Sequence, residues 1–181
     1  MNTFLIILFI IIVLIIVLGI IYINLYNRIN ESVIRIDEAE ARIDSNLREK
    51  YDLLQKEASI IKASDNDENQ FKDLMKIKSK RLSNFQFDRE LNKIYNDLLL
   101  AIQSDDKFKE DEEINTIMTK VCLIDEELIT LRDYYNGNVT KYNLFVKKIP
   151  TNIICKILKY KEKLFYDLKD MKDEDIEDFK I

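Results

Sequence analysis

The chain contains no histidine among its 181 residues. That absence excludes histidine general bases, Ser-His and Cys-His nucleophile pairs, and ordinary zinc sites. It also excludes the Glu-x-x-His pairs that build di-iron centres inside helix bundles. Glycine occurs twice and proline once, so tight turns are scarce, and all-β and most α/β folds are disfavoured. The two cysteines, Cys122 and Cys155, sit in apolar settings without metal-ligand spacing. They read as reduced structural thiols. There is no basic excess either: the net charge of -5 argues against nucleic acid, whose phosphates need cations to neutralise them. Carboxylate, Lys and Tyr chemistry remain, without a constellation to organise them. The reading is non-enzymatic, with no catalytic residue, no cofactor and no metal site.

What is present begins with a long apolar run. Phe4–Ile23, FLIILFIIIVLIIVLGIIYI, carries no charge. At about 1.5 Å per helical residue it reaches roughly 30 Å, the thickness of a bilayer's hydrocarbon core. A basic start, a shorter apolar region and a small-x-small cleavage site would mark a cleaved signal peptide. None of these appears, so the run is predicted to be a permanent single-pass transmembrane helix. Tyr22 and Tyr26 then fall at the downstream interface. Arg28, Arg35 and Arg42 follow the run and no Lys or Arg precedes it. The excess of cations on cytoplasmic flanks places the N-terminus outside and the body in the cytoplasm of the cell membrane.

Charged residues of both signs make up 34% of the chain, which suits long solvated helices. Ile29, Val33, Ile36, Ile43, Leu47, Tyr51, Leu54, Ala58 and Ile61 form one stripe at steps of three and four, interrupted at Glu40. That is an amphipathic helix continuing from the membrane segment. The polar stretch SDNDENQ, 64–70, is expected to be a loop. A second helix carries Phe71, Leu74, Leu82, Phe85, Leu91, Ile94, Leu98 and Ile102, and QSDDKFKEDEE, 103–113, is the next connection.

The third helix contains Asn136-Gly137, a dipeptide that strongly favours a hairpin turn. Yet Ile114, Val121, Leu128, Tyr135, Tyr142 and Ile149 recur every seventh residue, as do Ile117, Ile124, Leu131, Asn138 and Phe145. A coiled-coil-like heptad that keeps its phase across the dipeptide predicts an unbroken helix. Pro150 ends it. A shorter fourth helix is expected over TNIICKILKYKEKLFYDL, with Ile153, Ile154, Ile157, Leu158, Leu164 and Phe165 as its apolar side. The predicted fold is all-α: an N-terminal transmembrane helix, then an antiparallel up-down bundle of about four long helices. The expected divisions are an anchor over 1–24, a helical bundle over 25–168 and an acidic flexible tail over 169–181.

At this point the residues resemble the LemA family of bacterial membrane proteins over nearly the whole chain. The resemblance rests on Tyr26-Asn27, on IDEAEARID (36–44), REKYDLL (48–54) and RDYYNGNVTKYN (132–143), and on Pro150 with Asn152, then Tyr160 to Phe165. It implies an N-terminal membrane anchor and a bundle of long antiparallel helices, and implies no enzymatic activity. Two stretches depart from the family's pattern. Where members typically read DLIPNLV this chain has DLLQKEA, and Asp105-Asp106 stands where they tend to have Tyr-Pro.

The two Tyr-Asn pairs lie seven residues apart and so along one helix face. Tyr135 and Tyr142 fall on the seam, Asn136 and Asn143 one step to the side. They would line a small ligand groove, or the rings fill the core while the amides cap or cross-link neighbouring helices. The second reading is preferred, since buried polar side chains usually serve packing register. Asn138 is a polar seam position of the same kind. Asp37, Glu38, Asp44 and Asp52 lack the spacing of a divalent-cation loop and read as a solvated helix face. Lys147, Lys148, Lys156, Lys159, Lys161 and Lys163 cluster at the last corner. Counting alternate helices up and down puts that corner about 50 Å from the bilayer, so the patch is expected to meet an acidic partner or solvent rather than lipid.

The function expected is therefore that of a non-enzymatic, membrane-anchored tether or protein-interaction platform. The lipid bilayer and unidentified proteins are its partners, nucleic acid is not, and self-association is possible. The alternative is a membrane-attached sensor holding a small ligand or cation in the bundle core near Asn136, Asn138 and Asn143.

Overall fold

Apolar seams at steps of three and four make helices, and helix is the only regular structure among the described residues. A computed structural model describes residues 2–65, 69–78 and 80–167. The order is α1 (Asn2–Asp65), α2 (Asn69–Lys78), α3 (Asn84–Ser104), α4 (Asp106–Lys109), α5 (Glu112–Lys147) and α6 (Thr151–Ile157). The expected tail, 169–181, lies outside the described residues, as do 66–68 of the expected loop; Asp65 still belongs to α1 and Asn69 opens α2.

α1 carries the apolar run and the first stripe in one helix. Its run is long and apolar enough to cross a membrane, and none of it is buried against the rest of the chain. Further on, Ile36, Ile43, Leu47, Leu54 and Ile61 are buried. At the apparent interruption the helix buries Ala39 and leaves Glu40 exposed. A step of three followed by four keeps the seam continuous.

The chain forms two compact units. The first joins Met1–Asp37 to Tyr135–Phe165, and the second joins Glu38–Tyr134 to Tyr166–Leu168. In the second unit α5 runs antiparallel to α1, as the pairs Arg42–Glu127 and Lys56–Glu113 show. α3 runs antiparallel to α5, with Asp88 on Arg132 and Asn92 joined through Lys50 to Asp125, and so runs parallel to α1. α2 lies beside α1, where the Tyr51 hydroxyl donates to the Leu74 carbonyl.

The expected second helix is thus two helices. Ser83 starts α3 with a capping box: its hydroxyl accepts from Gln86 N at 3.3 Å, and the Gln86 side chain accepts from Ser83 N at 3.2 Å. Two otherwise orphan amides are satisfied reciprocally, which makes a new start here favourable. Further along, Asp105 caps α4, accepting from Lys107 N at 2.9 Å. That short turn buries Phe108. Asp111 accepts from Glu113 N and Ile114 N to open α5.

α5 passes through Gly137 without a break, and its two seams, Ile114–Val121–Leu128 and Ile117–Ile124–Leu131–Asn138, are buried. In the first unit, Ile29 and Ile36 of α1, Val139 and Tyr142 of α5, and Ile154 and Cys155 of α6 share one core, with Leu25, Phe145 and Tyr160 packed against it.

The expected fourth helix stops after Ile157. Lys159 takes a left-handed φ of 58°. Tyr160 N donates to Cys155 O at 2.9 Å and Lys159 N to Lys156 O at 3.2 Å. These are the paired bonds of a Schellman termination, with lysine at the place glycine usually holds. Residues 160–165 then run as a strap without regular structure. Of the apolar side assigned to that helix, Ile153, Ile157 and Leu164 are exposed.

The up-down count is also corrected. Because α2 and α3 are separate, α5 returns toward the start of α1. In the first unit the lysine-bearing corner lies beside α1: Tyr160 Oη donates to Asn30 Oδ1 at 2.9 Å, and Lys163 pairs with Asp37 at 3.0 Å.

Candidate functional site

Tyr135, Tyr142 and Asn143 of α5 meet a strap rather than a helix. Asn143 Nδ2 donates to the Lys163 carbonyl at 2.8 Å, and Lys163 N donates to Asn143 Oδ1 at 2.9 Å. Tyr142 Oη donates to the Lys161 carbonyl at 2.9 Å, and Tyr135 Oη to that of Leu164 at 3.4 Å. Tyr142 also meets Tyr160 edge to face, centroids 6.4 Å apart. Spacing by two turns lets the three side chains grip successive backbone groups of an extended segment. Asn136 is half-buried, its carbonyl accepting from Thr140 Oγ1, and Asn138 is buried. At the corner itself, Thr151 Oγ1 lies 2.7 Å from the carbonyls of both Phe145 and Lys148.

The second unit holds a buried ionic network that reading the apolar stripe passed over. Lys50 is fully buried, and its ammonium donates to Asn92 Oδ1 at 2.6 Å and to the Asp125 carboxylate. It also lies over the Tyr95 ring, 5.4 Å from the centroid. Asn92 Nδ2 donates to Asp88, a buried acid paired with Arg132. Arg132 covers the ring of Tyr166, whose hydroxyl donates to Asp88 at 3.3 Å. Burial pushes the Asp88 carboxyl up, while Arg132, Lys50 and the Tyr166 hydroxyl pull the other way. Burial likewise raises the Tyr166 phenol, with Asp88 adding to it.

One turn pair further along α1, Glu57 is fully buried and neither carboxylate oxygen has a hydrogen-bond partner. Burial pushes its pKa up to about 7. The sequence did carry a signal for both residues. Ile29, Ile36, Ile43, Lys50 and Glu57 are spaced by seven, and all five are fully buried. Glu57 also falls in DLLQKEA, at the place where the resemblance to DLIPNLV has Leu.

Two clefts open on the second unit. One of about 340 Å³ is lined by Asp44, Arg48, Asp52, Lys80 and Asn84, with Tyr51 and Phe87. The other, about 330 Å³, lies between α1 and α5 and is lined by Ala39, Leu131, Tyr134, Thr130, Glu38, Arg42 and Glu127. Of the four acids considered from sequence, Asp44 pairs with Arg48, Asp37 with Lys163, and Glu38 borders the second cleft. Among the described residues no three His, Cys, Asp or Glu side chains gather as a metal set. Cys122 is exposed and Cys155 buried, both as free thiols.

An all-α fold with one helix long and apolar enough to cross a membrane is consistent with a membrane-associated helical protein. The LemA family model matches residues 39–178, and the chain belongs to the LemA family. A search of curated protein sequences returned no significant match.

Proposed function

We propose that this is a non-enzymatic, single-pass protein of the cytoplasmic membrane whose helical body is a protein-interaction platform. Phe4–Ile23 spans the bilayer, and Arg28, Arg35 and Arg42 hold the body on the cytoplasmic side. The observation that carries the platform reading is the α1–α5 cleft. Buried Ala39 and Leu131 line it together with Tyr134 and the charged side chains of Glu38, Arg42 and Glu127. A small buried residue between two long helices, with an aromatic ring and charged side chains in the same lining, suits an amphipathic helix laid along the groove.

The test is site-specific photo-crosslinking in native membranes from Thr130 and Tyr134. A discrete protein adduct, weakened by Ala39→Trp, supports the platform. Capture of lipid alone from both positions would count decisively against it.

A second reading, a ligand sensor, is favoured by the polar cleft. Asp44, Asp52, Arg48 and Lys80 face one open volume, a mixture able to hold a small zwitterion. Screening amino acids and similar compounds for a thermal shift abolished by Asp52→Asn tests it. This site is distinct from the one the sequence pointed to, since the Asn143 amide is occupied by the strap.

A further inference from the structure

We propose that the α5–α6 corner and the start of the strap dock on the surface of the bilayer, with Ile153 and Ile157 in the headgroup boundary and Lys148, Lys156, Lys159 and Lys161 on anionic lipid phosphates. The inference rests on the reading of Phe4–Ile23 as a membrane span.

Position argues first. The inner face of α6, Ile154 and Cys155, shares a core with Ile29, and Leu25 packs on the same core. At about 1.5 Å per residue, Ile29 stands roughly 9 Å beyond Ile23, which is within or just above the polar layer of a bilayer. Tyr160, next to Lys159, is tied to Asn30. Burial, then Tyr26, Cys155 and Tyr22, push the Tyr160 phenol up.

Chemistry argues second. Ile153 is 56% exposed and Ile157 68%, one turn apart on the outer face of α6, with Ile149 and Pro150 exposed beside them. From Lys147 to Lys163 the only acid is Glu162, and it pairs with Lys147. Lys163 pairs with Asp37. Lys148, Lys156, Lys159 and Lys161 are exposed, and among the described residues none of them makes an ion pair. Exposed isoleucines among lysines, with the segment's one acid paired, match the boundary between acyl chains and anionic headgroups. Each lysine near such a surface gives roughly a fivefold preference for it. The earlier expectation of a distal, solvated corner depended on a helix count that the capping box at Ser83 changes.

The test uses the full chain in lipid nanodiscs, in a Cys122→Ser background. A fluorophore is placed at Ile153→Cys or, separately, Ile157→Cys, and is quenched by nitroxide lipids labelled at the headgroup. A label at Ile12→Cys, read with a deep acyl-chain quencher, reports the span independently. The proposal expects quenching at 153 and 157 about twofold or more stronger in phosphatidylglycerol-containing discs than in phosphatidylcholine discs. The excess should fall with added salt and vanish in the Lys148→Gln, Lys156→Gln, Lys161→Gln triple variant. If 153 and 157 stay unquenched while position 12 is quenched, the docking proposal fails and the span stands. Quenching indifferent to lipid charge and to the lysines overturns the headgroup assignment. A position 12 label that escapes the deep quencher overturns the span reading, and the docking proposal with it.

Discussion

The side-chain amide of Asn143 holds the backbone of Lys163 in both directions, donating at 2.8 Å and accepting at 2.9 Å. No other side chain of α5 takes both hydrogen bonds of one strap residue among the described contacts. Asn143→Ala removes both and leaves a buried carbonyl and amide to find water. A loss of about 2 kcal/mol is expected for two such bonds. The change should be local as well as global: trypsin should cut faster after Lys161 and Lys163, and the Lys163 amide should lose exchange protection. Asn143→Asp keeps the acceptor and loses the donor, so it should fall between.

Gly137 is exposed in the middle of α5, and a Cβ added there would meet nothing within 4 Å. Its φ is not positive, so nothing in the backbone requires glycine. Gly137→Ala should therefore stabilise the protein by about 1 kcal/mol, the helix-propensity difference. Thermal melting followed by circular dichroism in detergent measures it. A lower melting temperature would overturn the helix-propensity argument.

These two positions mark what the sequence discloses and what it hides. α5 was legible through Asn136-Gly137 because seven-residue periodicity survives a weak helix former. α1 was legible for the same reason. The strap was not. Nothing local in LKYKEK stops a helix; Lys159 adopts its left-handed φ of 58° because Tyr142 and Asn143, distant in sequence, offer the backbone better partners. The split between α2 and α3 was readable in Ser83 and Gln86, but apolar residues on both sides kept their spacing and masked it. One unread break reverses the direction of every later helix, which is why the lysine corner was misplaced. Lys50 and Glu57 stayed hidden because charged residues are ordinarily assigned to the surface, even though both continue the series Ile29, Ile36, Ile43.

Lys50 is the buried cation of that series, held by Asp125 and Asn92. Lys50→Met keeps the aliphatic volume and strands the carboxylate. Removing one partner of a buried pair costs about 3–5 kcal/mol. Asp125 is about a third exposed to water, which relieves part of that, so roughly 2–3 kcal/mol is expected. Adding Asp125→Asn should recover a portion, so that the double variant loses less than the sum of the two single losses. Denaturant melts of the four proteins supply the cycle; additive losses would show that the pair does not act as one.

Glu57 makes stability depend on pH, in the direction opposite to that of a salt-bridged acid. Its carboxyl is buried without partners, so the folded state favours the protonated form and its pKa rises from 4.5 to about 7. Below the unfolded value both states are protonated and the group exerts no penalty. As pH rises from about 4.5 to about 7 the unfolded chain releases its proton and the folded chain keeps it, so stability falls. The full loss, reached above the folded pKa, is on the order of 3 kcal/mol for a shift of this size. Glu57→Leu, the residue at the matching place in the LemA pattern, should remove that slope. The variant should equal or exceed the parent at every pH and show its largest gain, about 3 kcal/mol, above pH 7. Melting curves of both proteins between pH 4 and pH 9 decide it: a parent whose stability does not fall between pH 5 and pH 8, relative to the variant, would place an unseen cation or donor against Glu57.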